Sequence, residues 1–315
     1  MTRIVLSTGN IITGGPSIIR KPGTTRSNLE LVNSLRNNFQ AAQQDYAGSP
    51  TSTNGNKKEN GHPVCENSRP RIDAWTATED SVLYIPRIDW TAAGLQEDRA
   101  QYEITVKLFF LPTASVAKRA EYIGEALRLI TKELGVENVD LLIASFPGIS
   151  FDGDCEWEAD KMNATMGNEE EEVMTWAALE NLYEQGKVAR LGIAEFGSEK
   201  LQRFINQVKV PPAVDQINIK DCCSVPPPLT KLASSTGIEL LTHGDSTDIL
   251  PSGTLRELLG HGAQGAGILA EDEKAQNGLQ GNLIPQWVAK YTAFVNYRGV
   301  IENKGYFAGA ELVNA

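Results

Sequence analysis

The stretch Ala178-Leu-Glu-Asn-Leu-Tyr-Glu-Gln-Gly-Lys-Val-Ala-Arg-Leu-Gly-Ile193 decides the fold. Its first half continues a helical pattern that carries Trp176 and Leu179, and Gly186 is a stop signal for that helix. Its second half, Val188–Ile193, is a short apolar run typical of a buried strand. A helix followed closely by such a strand predicts parallel strands covered by helices.

The same alternation extends on both sides of this stretch. Upstream, strands are predicted at 102–111 and 139–144, and the helix between them repeats apolar residues every three or four positions. Downstream, a helix that begins near Ser198 precedes strands at 214–219 and 239–242. Repeated strand–helix units with short loops indicate an open doubly wound sheet or a closed barrel, and periodicity leaves both open.

The composition describes a large acidic chain of 315 residues, 41% hydrophobic, with a formal net charge of −11. So acidic a surface repels phosphate backbones and anionic lipids, which argues against nucleic acid and membrane as partners. No apolar run approaches the roughly 18 residues of a membrane-spanning helix. The four cysteines are too few for a disulfide framework and lack the spacing of a zinc site, so a reducing cytoplasm and no metal are expected.

Three segments interrupt the alternation, and one of them, residues 260–282, is rich in Gly, Ala and Gln and predicts a loose surface loop. Residues 47–70 contain almost nothing to bury and predict a disordered insertion. Residues 152–172 are acidic and end in four consecutive glutamates, which predicts an acidic loop whose last residues begin a helix, because carboxylates suit helix N-termini. A role of this acidic loop in partner binding is the alternative.

Catalytic motifs are scarce. The chain has no glycine-rich dinucleotide or phosphate loop, no zinc-protease motif and no nucleophile elbow. The unusual local feature is the pair Cys222-Cys223, interpreted either as two small residues that pack after a strand or as an exposed thiol for partner contact or redox sensing. His243 follows a strand, where barrel proteins place functional groups, although a lone histidine there is more often structural.

Four segments carry a resemblance to a known family. The opening stretch, Val139-Asp-Leu-Leu-Ile143, Pro211-Pro-Ala-Val-Asp-Gln-Ile217 and Gly237-Ile-Glu-Leu-Leu-Thr242 resemble, in order and spacing, segments of the aldo-keto reductases. The resemblance implies an α/β fold, the (β/α)8 TIM-type barrel of that superfamily, as a single domain over residues 1–315.

The resemblance also implies that the reductase chemistry is mostly lost. The reductases use a tyrosine, a lysine, an aspartate and a histidine; here Lys107 matches the lysine, Ser145 stands at the histidine, and the tyrosine segment has no counterpart. Of the cofactor contacts, only the glutamine persists, as Gln216, while Ala194-Glu195 replaces a serine–asparagine pair. Lys107 and Gln216 are therefore expected to be relics, with no catalytic residues and no bound cofactor.

The sequence resembles one branch of the superfamily more closely than it resembles the reductases. Asp215-Gln-Ile-Asn-Ile-Lys-Asp-Cys-Cys-Ser-Val-Pro-Pro-Pro-Leu229, Leu240-Leu-Thr-His-Gly-Asp245 and Arg298-Gly-Val-Ile301 resemble segments of the modifier (regulatory) subunits of glutamate–cysteine ligase. The resemblance implies a non-catalytic protein that forms a heterodimer with the catalytic ligase subunit. It also implies that the complex works better on glutamate and ATP and is less inhibited by glutathione.

The expected partner-binding residues follow from this second resemblance. They lie in the proline-containing loop after a strand, at the next strand end and near the carboxy terminus: Cys222, Cys223, Pro227, His243 and Arg298. The prolines are expected to hold their loop extended before binding. The alternative function is an NADPH-dependent aldo-keto reductase, favoured by Lys107 and Gln216.

Overall fold

The computed structural model describes residues 2–13, 26–47, 69–151, 155–218, 225–272, 275 and 277–313. Within these ranges the helices and strands occur in the following order: β1 Thr2–Ser7, α1 Ser27–Ala47, α2 Ile72–Trp75, β2 Ala77–Glu79, β3 Val82–Ile85, β4 Tyr102–Phe110, α3 Val116–Leu134, β5 Val139–Ser145, α4 Glu156–Asn163, α5 Glu169–Glu184, β6 Val188–Ala194, α6 Ser198–Ile205, β7 Val214–Asn218, α7 Pro227–Thr236, β8 Glu239–His243, α8 Thr254–Leu259, β9 Asn282–Val295 and β10 Val300–Val313.

The ends of the central helices follow the signals in the sequence. Gly135 and Gly237 end α3 and α7 in the left-handed conformation, with φ of 64° and 73°, which glycine adopts without a side-chain penalty. At the start of α5, the Asn168 side chain accepts a hydrogen bond from the Glu171 backbone N–H at 3.3 Å. This cap and the glutamates of the first turn satisfy the positive end of the helix.

A mixed sheet organises the chain. In the described residues its ten strands lie in the order β2-β3-β1-β10-β9-β4-β5-β6-β7-β8. Strands β4 to β8 are parallel neighbours, in chain order, joined by helical crossovers. These are the strands that the sequence pattern predicts.

The other half of the sheet differs from the eight parallel strands expected of a (β/α)8 barrel. Strand β9 pairs antiparallel with β4, and the long hairpin β9–β10 connects the parallel strands to β1. Among the described residues no hydrogen-bonded pairing joins the edge strands β2 and β8, so the sheet is not closed by backbone hydrogen bonds. The sheet nevertheless curls enough for side chains after β8 to contact β4 and β9.

Both faces of the sheet are covered. Helices α3, α5, α6 and α7 pack on one face around buried aromatic side chains such as Trp176 and Phe204. Helices α1, α2 and α8 cover β1, β3 and β10 on the other face, where Leu35, Phe39 and Trp75 are buried. Adjacent residues of β9 belong to different cores, Trp287 to the first and Val288 to the second. Alternation along this strand therefore links the two cores.

The hairpin β9–β10 depends on glycines that face large side chains. Gly305 lies opposite Tyr291 and Gly309 opposite Trp287 in the strand register. A Cβ atom on Gly309 would overlap the Trp287 indole, and one on Gly305 would overlap the Tyr291 ring. The absent side chains let the two aromatic rings lie across the neighbouring strand.

The interrupting segments have different outcomes. The predicted disordered insertion at 47–70 lies outside the described residues except for Ala47, which ends α1, and for Arg69 and Pro70. The predicted acidic loop at 152–172 is wrong in part, because Glu156–Asn163 form α4 and Glu169 begins α5. Helix α4 forms because its side at Ala159, Asp160 and Asn163 is buried, a pattern that the acidic composition conceals. Among the described residues, no helix has the length and apolar character needed to cross a membrane.

Candidate functional site

A small polar cavity of about 260 Å³ lies at the carboxyl ends of the parallel strands. Strand β4, the ends of β7 and β8, and β9 supply its walls. Its lining residues are Thr105, Lys107, Gln216, His243, Gly244, Asp245, Lys290 and Thr292. The position corresponds to the edge at which open and closed α/β sheets generally bind ligands.

Asp245 is the centre of the charge arrangement in this cavity. Its two carboxylate oxygens lie 3.0 Å from Lys107 Nζ and 2.8 Å from Lys290 Nζ. Burial by itself raises the pKa of Asp245, but the ammonium groups of Lys107 and Lys290 reverse this and hold the pKa below its usual value. Burial lowers the pKa of Lys107, and the Asp245 carboxylate offsets part of this effect.

His243 joins a second carboxylate to this group. Its Nδ1 accepts a hydrogen bond from the Asp245 backbone N–H at 3.1 Å, and its Nε2 lies 2.6 Å from Glu195 Oε1. Since Nδ1 is an acceptor, a neutral His243 ring carries its proton on Nε2, although Nε2 makes no hydrogen bond of acceptable geometry. Both side chains are about nine-tenths buried, each with 9% of its side chain exposed.

Glu195 itself has an unusual backbone. Its φ is 65°, in the left-handed region that residues other than glycine seldom occupy. Two hydrogen bonds hold it there: its N–H donates to the Gln216 carbonyl at 2.8 Å, and its own carbonyl accepts from Asn163 Nδ2 at 2.7 Å. The neighbouring Asp215 is fully buried, and this burial raises the pKa of its carboxyl well above the usual range.

A further ionic group lies on the next strand. Tyr306 is opposite Lys290 in the register of β10 with β9. Its hydroxyl donates to Glu30 Oε1 at 2.6 Å, and Lys304 Nζ lies 2.7 Å from the same carboxylate. Helix α1 therefore engages Tyr306 through Glu30, and among the described residues that line the cavity there is no tyrosine.

The structure brings together some of the residues singled out in the sequence. Lys107, Gln216 and His243 line the same cavity, and Ala194 and Glu195 lie at the end of β6 beside it. Ser145 is the last residue of β5.

The expected partner-binding residues do not form one group. Cys222 and Cys223 lie outside the described residues. Pro227 is exposed at the start of α7, and His243 is buried against Glu195. Arg298 lies at the opposite end of the sheet, in the turn after β9, where it pairs with Glu302.

The prediction that the prolines hold an extended loop is wrong for two of them. Pro227 and Pro228 are the first residues of α7, and only Pro226, with ψ of 134°, is extended. Proline suits the first turn of a helix because it needs no backbone donor there and its fixed φ matches the helix.

Two members of the polar cluster escaped the sequence analysis in this role: Asp245 and Lys290. Lys290 and Asp245 are distant from Lys107 in the sequence, and only the curled sheet joins them. The available signal was a lysine in the middle of an otherwise apolar strand, Trp287–Val295. A buried lysine requires a carboxylate partner.

The chemical capacity of the cluster is limited by its internal pairing. Lys107 and Asp245 are both buried and neutralise one another, and Glu195 faces His243. Gln216 Oε1 is buried without a hydrogen-bond partner and is the polar atom best placed to meet a small ligand. Across the described ranges, no group of three or more His, Cys, Asp or Glu side chains could hold a metal ion.

Comparison with known proteins gives the family. The model of the aldo/keto reductase family matches residues 89–306, and the chain belongs to this family. This confirms the α/β fold class of the superfamily whose reference architecture is the (β/α)8 barrel. A solved aldo/keto reductase from Brucella melitensis is 20% identical, with a TM-score of 0.35, over 55% of this chain and 58% of that one.

Two curated relatives carry another name. A Schizosaccharomyces pombe protein, provisionally named a glutamate–cysteine ligase regulatory subunit, is 26% identical over 311 residues, which are 96% of this chain and 94% of that protein. The glutamate–cysteine ligase regulatory subunit of Mus musculus is 27% identical over 215 residues, 68% of each chain.

Proposed function

We propose that this chain is a non-catalytic regulatory subunit of glutamate–cysteine ligase, which forms a heterodimer with the catalytic subunit in the cytoplasm. The observation that carries the proposal is the similarity to the Schizosaccharomyces pombe relative, which extends over 96% of this chain and 94% of that protein. The match to the mouse relative supports the same assignment.

The geometry of the cavity supports a non-catalytic role. A reductase needs a proton donor at the substrate carbonyl, a contribution worth about 10²- to 10⁴-fold in rate. In the described part of the chain the cavity presents Lys107, already paired with Asp245, and His243, which faces Glu195. A nicotinamide cofactor does not suit this arrangement, because the Glu195 carboxylate stands where the family resemblance calls for a neutral asparagine.

A regulatory subunit can act through preferential binding alone. If it binds more tightly to the catalytic subunit in the conformation that holds substrate, it raises the affinity for that substrate by the same factor. A change of about 5- to 150-fold requires only about 1–3 kcal/mol of such coupling. A folded surface can supply this coupling free energy although none of its side chains enters the active site of the ligase.

The direct test combines binding with kinetics. The catalytic subunit from the same organism is titrated with the purified chain, and the rate of ligase product formation is measured at limiting glutamate. We expect co-elution of the two subunits and a saturable rise in rate. A catalytic subunit that neither binds the chain nor changes its rate would contradict the proposal.

The reductase alternative is tested by the same preparation. It is favoured by one observation, that Lys107 and Gln216 line a common cavity. NADPH titration followed by tryptophan fluorescence distinguishes the two functions. We expect no saturable quenching at micromolar NADPH; a dissociation constant in that range, together with carbonyl reduction, would favour the reductase.

A further inference from the structure

A cavity of about 1100 Å³ lies beside β2, an edge strand of the sheet. Helix α2, strands β2 and β3, and residues from the segments 261–267 and 277–279 supply its walls. We call it the β2 cavity. It has no lining residue in common with the polar cavity around Asp245. Its volume is sufficient for an organic molecule of the size that protein pockets generally hold.

The lining of the β2 cavity has an excess of positive charge. Its ionic side chains are three arginines, Arg69, Arg71 and Arg87, and two carboxylates, Asp73 and Glu79. Arg71 and Asp73 neutralise one another, with Arg71 Nη2 3.0 Å from Asp73 Oδ2. The whole chain, by contrast, has a formal net charge of −11. Positive charge concentrated on one part of an acidic protein attracts anions to that part.

The other two arginines are bound to the backbone instead of to an acid. Arg69 donates from Nη2 to the Gly262 carbonyl at 3.2 Å, and Arg87 donates from Nη2 to the Thr76 carbonyl at 3.4 Å. In the part of the chain that the structure describes, no carboxylate forms an ion pair with Arg69 or Arg87. Because a guanidinium group has five N–H donors, each arginine keeps most of them for a ligand.

The fold positions both guanidinium groups before any ligand arrives. Arg69 lies against Gly267, where φ is 69° and a Cβ atom would be 2.8 Å from Arg69 Nη1. The guanidinium carbon of Arg87 lies 5.8 Å from the centre of the Tyr46 ring, within the range of a cation–π contact. Donors that are already oriented lose less entropy on binding.

His261 adds a polar group that lacks a partner. Its side chain lines the cavity, and it precedes Gly262, whose carbonyl holds Arg69. Its Nε2 is buried and has no hydrogen-bond partner among the described residues. A buried polar atom without a partner costs free energy, which a bound polar group would recover.

Aliphatic side chains form the remaining feature of the lining: Ile72, Leu83, Ile88 and Leu279. Leu83 is buried, and the other three are partly buried. A bare inorganic ion would leave this apolar surface in contact with water, whereas the carbon skeleton of an organic ligand covers it. An apolar lining with a small number of fixed charged groups is typical of a small-molecule site.

We infer that the β2 cavity binds a small organic oxyanion, a phosphate ester or a carboxylate whose apolar part covers the aliphatic lining. Arg69 and Arg87 bind its charged oxygens, because a planar guanidinium matches two oxygens of either group. Binding is a property of this chain alone, so the inference does not rest on the proposed function.

Isothermal titration calorimetry of the purified chain tests the site with three probes: phenyl phosphate, phenylacetate and inorganic phosphate. We expect saturable binding of at least one aromatic anion, with a dissociation constant at or below about 1 mM. Inorganic phosphate is expected to bind at least about fivefold more weakly, because it cannot cover the aliphatic lining. The tighter of the two aromatic anions identifies the charged group as phosphate or carboxylate.

Arg69→Gln and Arg87→Gln are each expected to weaken binding of the aromatic anion at least about fivefold, because the charge-assisted hydrogen bonds are lost. Arg256→Gln is the matched control. Arg256 also donates to a backbone carbonyl, that of Gly281, at 3.4 Å, and it does not line the β2 cavity. Each variant must retain the wild-type circular dichroism spectrum, and Arg87→Gln keeps the test valid if Arg69→Gln does not fold.

Three results would overturn the inference. The first is the absence of saturable binding of all three probes up to about 10 mM. The second is wild-type affinity in both Arg69→Gln and Arg87→Gln, which would place the bound anion elsewhere on the chain. The third is equal affinity for inorganic phosphate and the aromatic anions, which would show an adventitious ion only.

Discussion

At the scale of single residues, Asp245 determines how the charges in the cavity are paired. Its one carboxylate is shared by two lysines that come from different strands, Lys107 and Lys290. The sequence analysis identified Lys107 and Gln216 because a family motif surrounds each of them. It could not identify Asp245 or Lys290 in this role, since partners across a curled sheet have no fixed spacing in the sequence.

Asp245→Asn is expected to destabilise the fold by about 3 kcal/mol at neutral pH, because it leaves two ammonium groups without their shared partner. The folded-state pKa of Asp245 is lowered. Its carboxylate therefore stabilises the fold above the unfolded pKa, about 3.9, and the contribution is lost as the pH falls through the lower folded pKa. Urea unfolding at a series of pH values measures the difference in the free energy of unfolding between wild type and Asp245→Asn. This difference should be largest above about pH 5 and should become smaller in acid.

Asp248→Asn is the control for this experiment, because Asp248 is an exposed aspartate three residues further along the chain. It is expected to leave the free energy of unfolding within about 0.5 kcal/mol of wild type. Equal stability of the Asp245 and Asp248 variants at neutral pH would show that the Asp245 ion pairs contribute nothing to folding.

At the scale of elements, the parallel strands and their helices were predictable and the antiparallel part was not. Apolar periodicity and glycine stops located β4 to β8 with α3, α5 and α6. The prolines at the start of α7 fit an extended loop as well as a helix start, and the acidic residues of α4 conceal its buried side. The segment that includes β9 and β10 was noted only because Arg298-Gly-Val-Ile301 resembles a segment of the regulatory subunits. That resemblance gave no indication of a hairpin.

The hairpin supplies an element-scale prediction. Gly309→Ala is expected to destabilise the fold by about 1–3 kcal/mol, because the new methyl group overlaps the buried Trp287 indole and the strands must separate. Thermal unfolding followed by circular dichroism measures the effect.

Gly124→Ala is the matched control for the hairpin substitution. Gly124 lies in α3 with nothing near its Cβ position, and alanine there is expected to stabilise the helix by about 0.5–1 kcal/mol. Opposite signs for the two substitutions support the packing explanation; a neutral Gly309→Ala would mean that Trp287 moves aside without cost.

At the scale of the whole molecule, the two cores share one sheet. Trp75 lies in the core under α1 and Trp176 in the core under α5, and strand β9 contributes to both. We therefore expect the chain to unfold as a single cooperative domain; the prediction of one domain over residues 1–315 remains to be tested in this way.

Variants that retain only Trp75 or only Trp176 measure this cooperativity. Their fluorescence transitions in urea are expected to share one midpoint, and that midpoint should equal the one obtained by far-ultraviolet circular dichroism of the same variant. Distinct midpoints for the two tryptophans would divide the chain into two folding units.

The carboxylate of Asp245 has a consequence in terms of mass action. A pocket with uncompensated lysines gains stability from dissolved anions in proportion to the logarithm of their concentration. Asp245 is instead a counter-ion carried by the chain itself, and dilution cannot remove it. The charge balance of the pocket is thus encoded in the polypeptide, and it stays the same however the pool of small anions around the protein rises or falls.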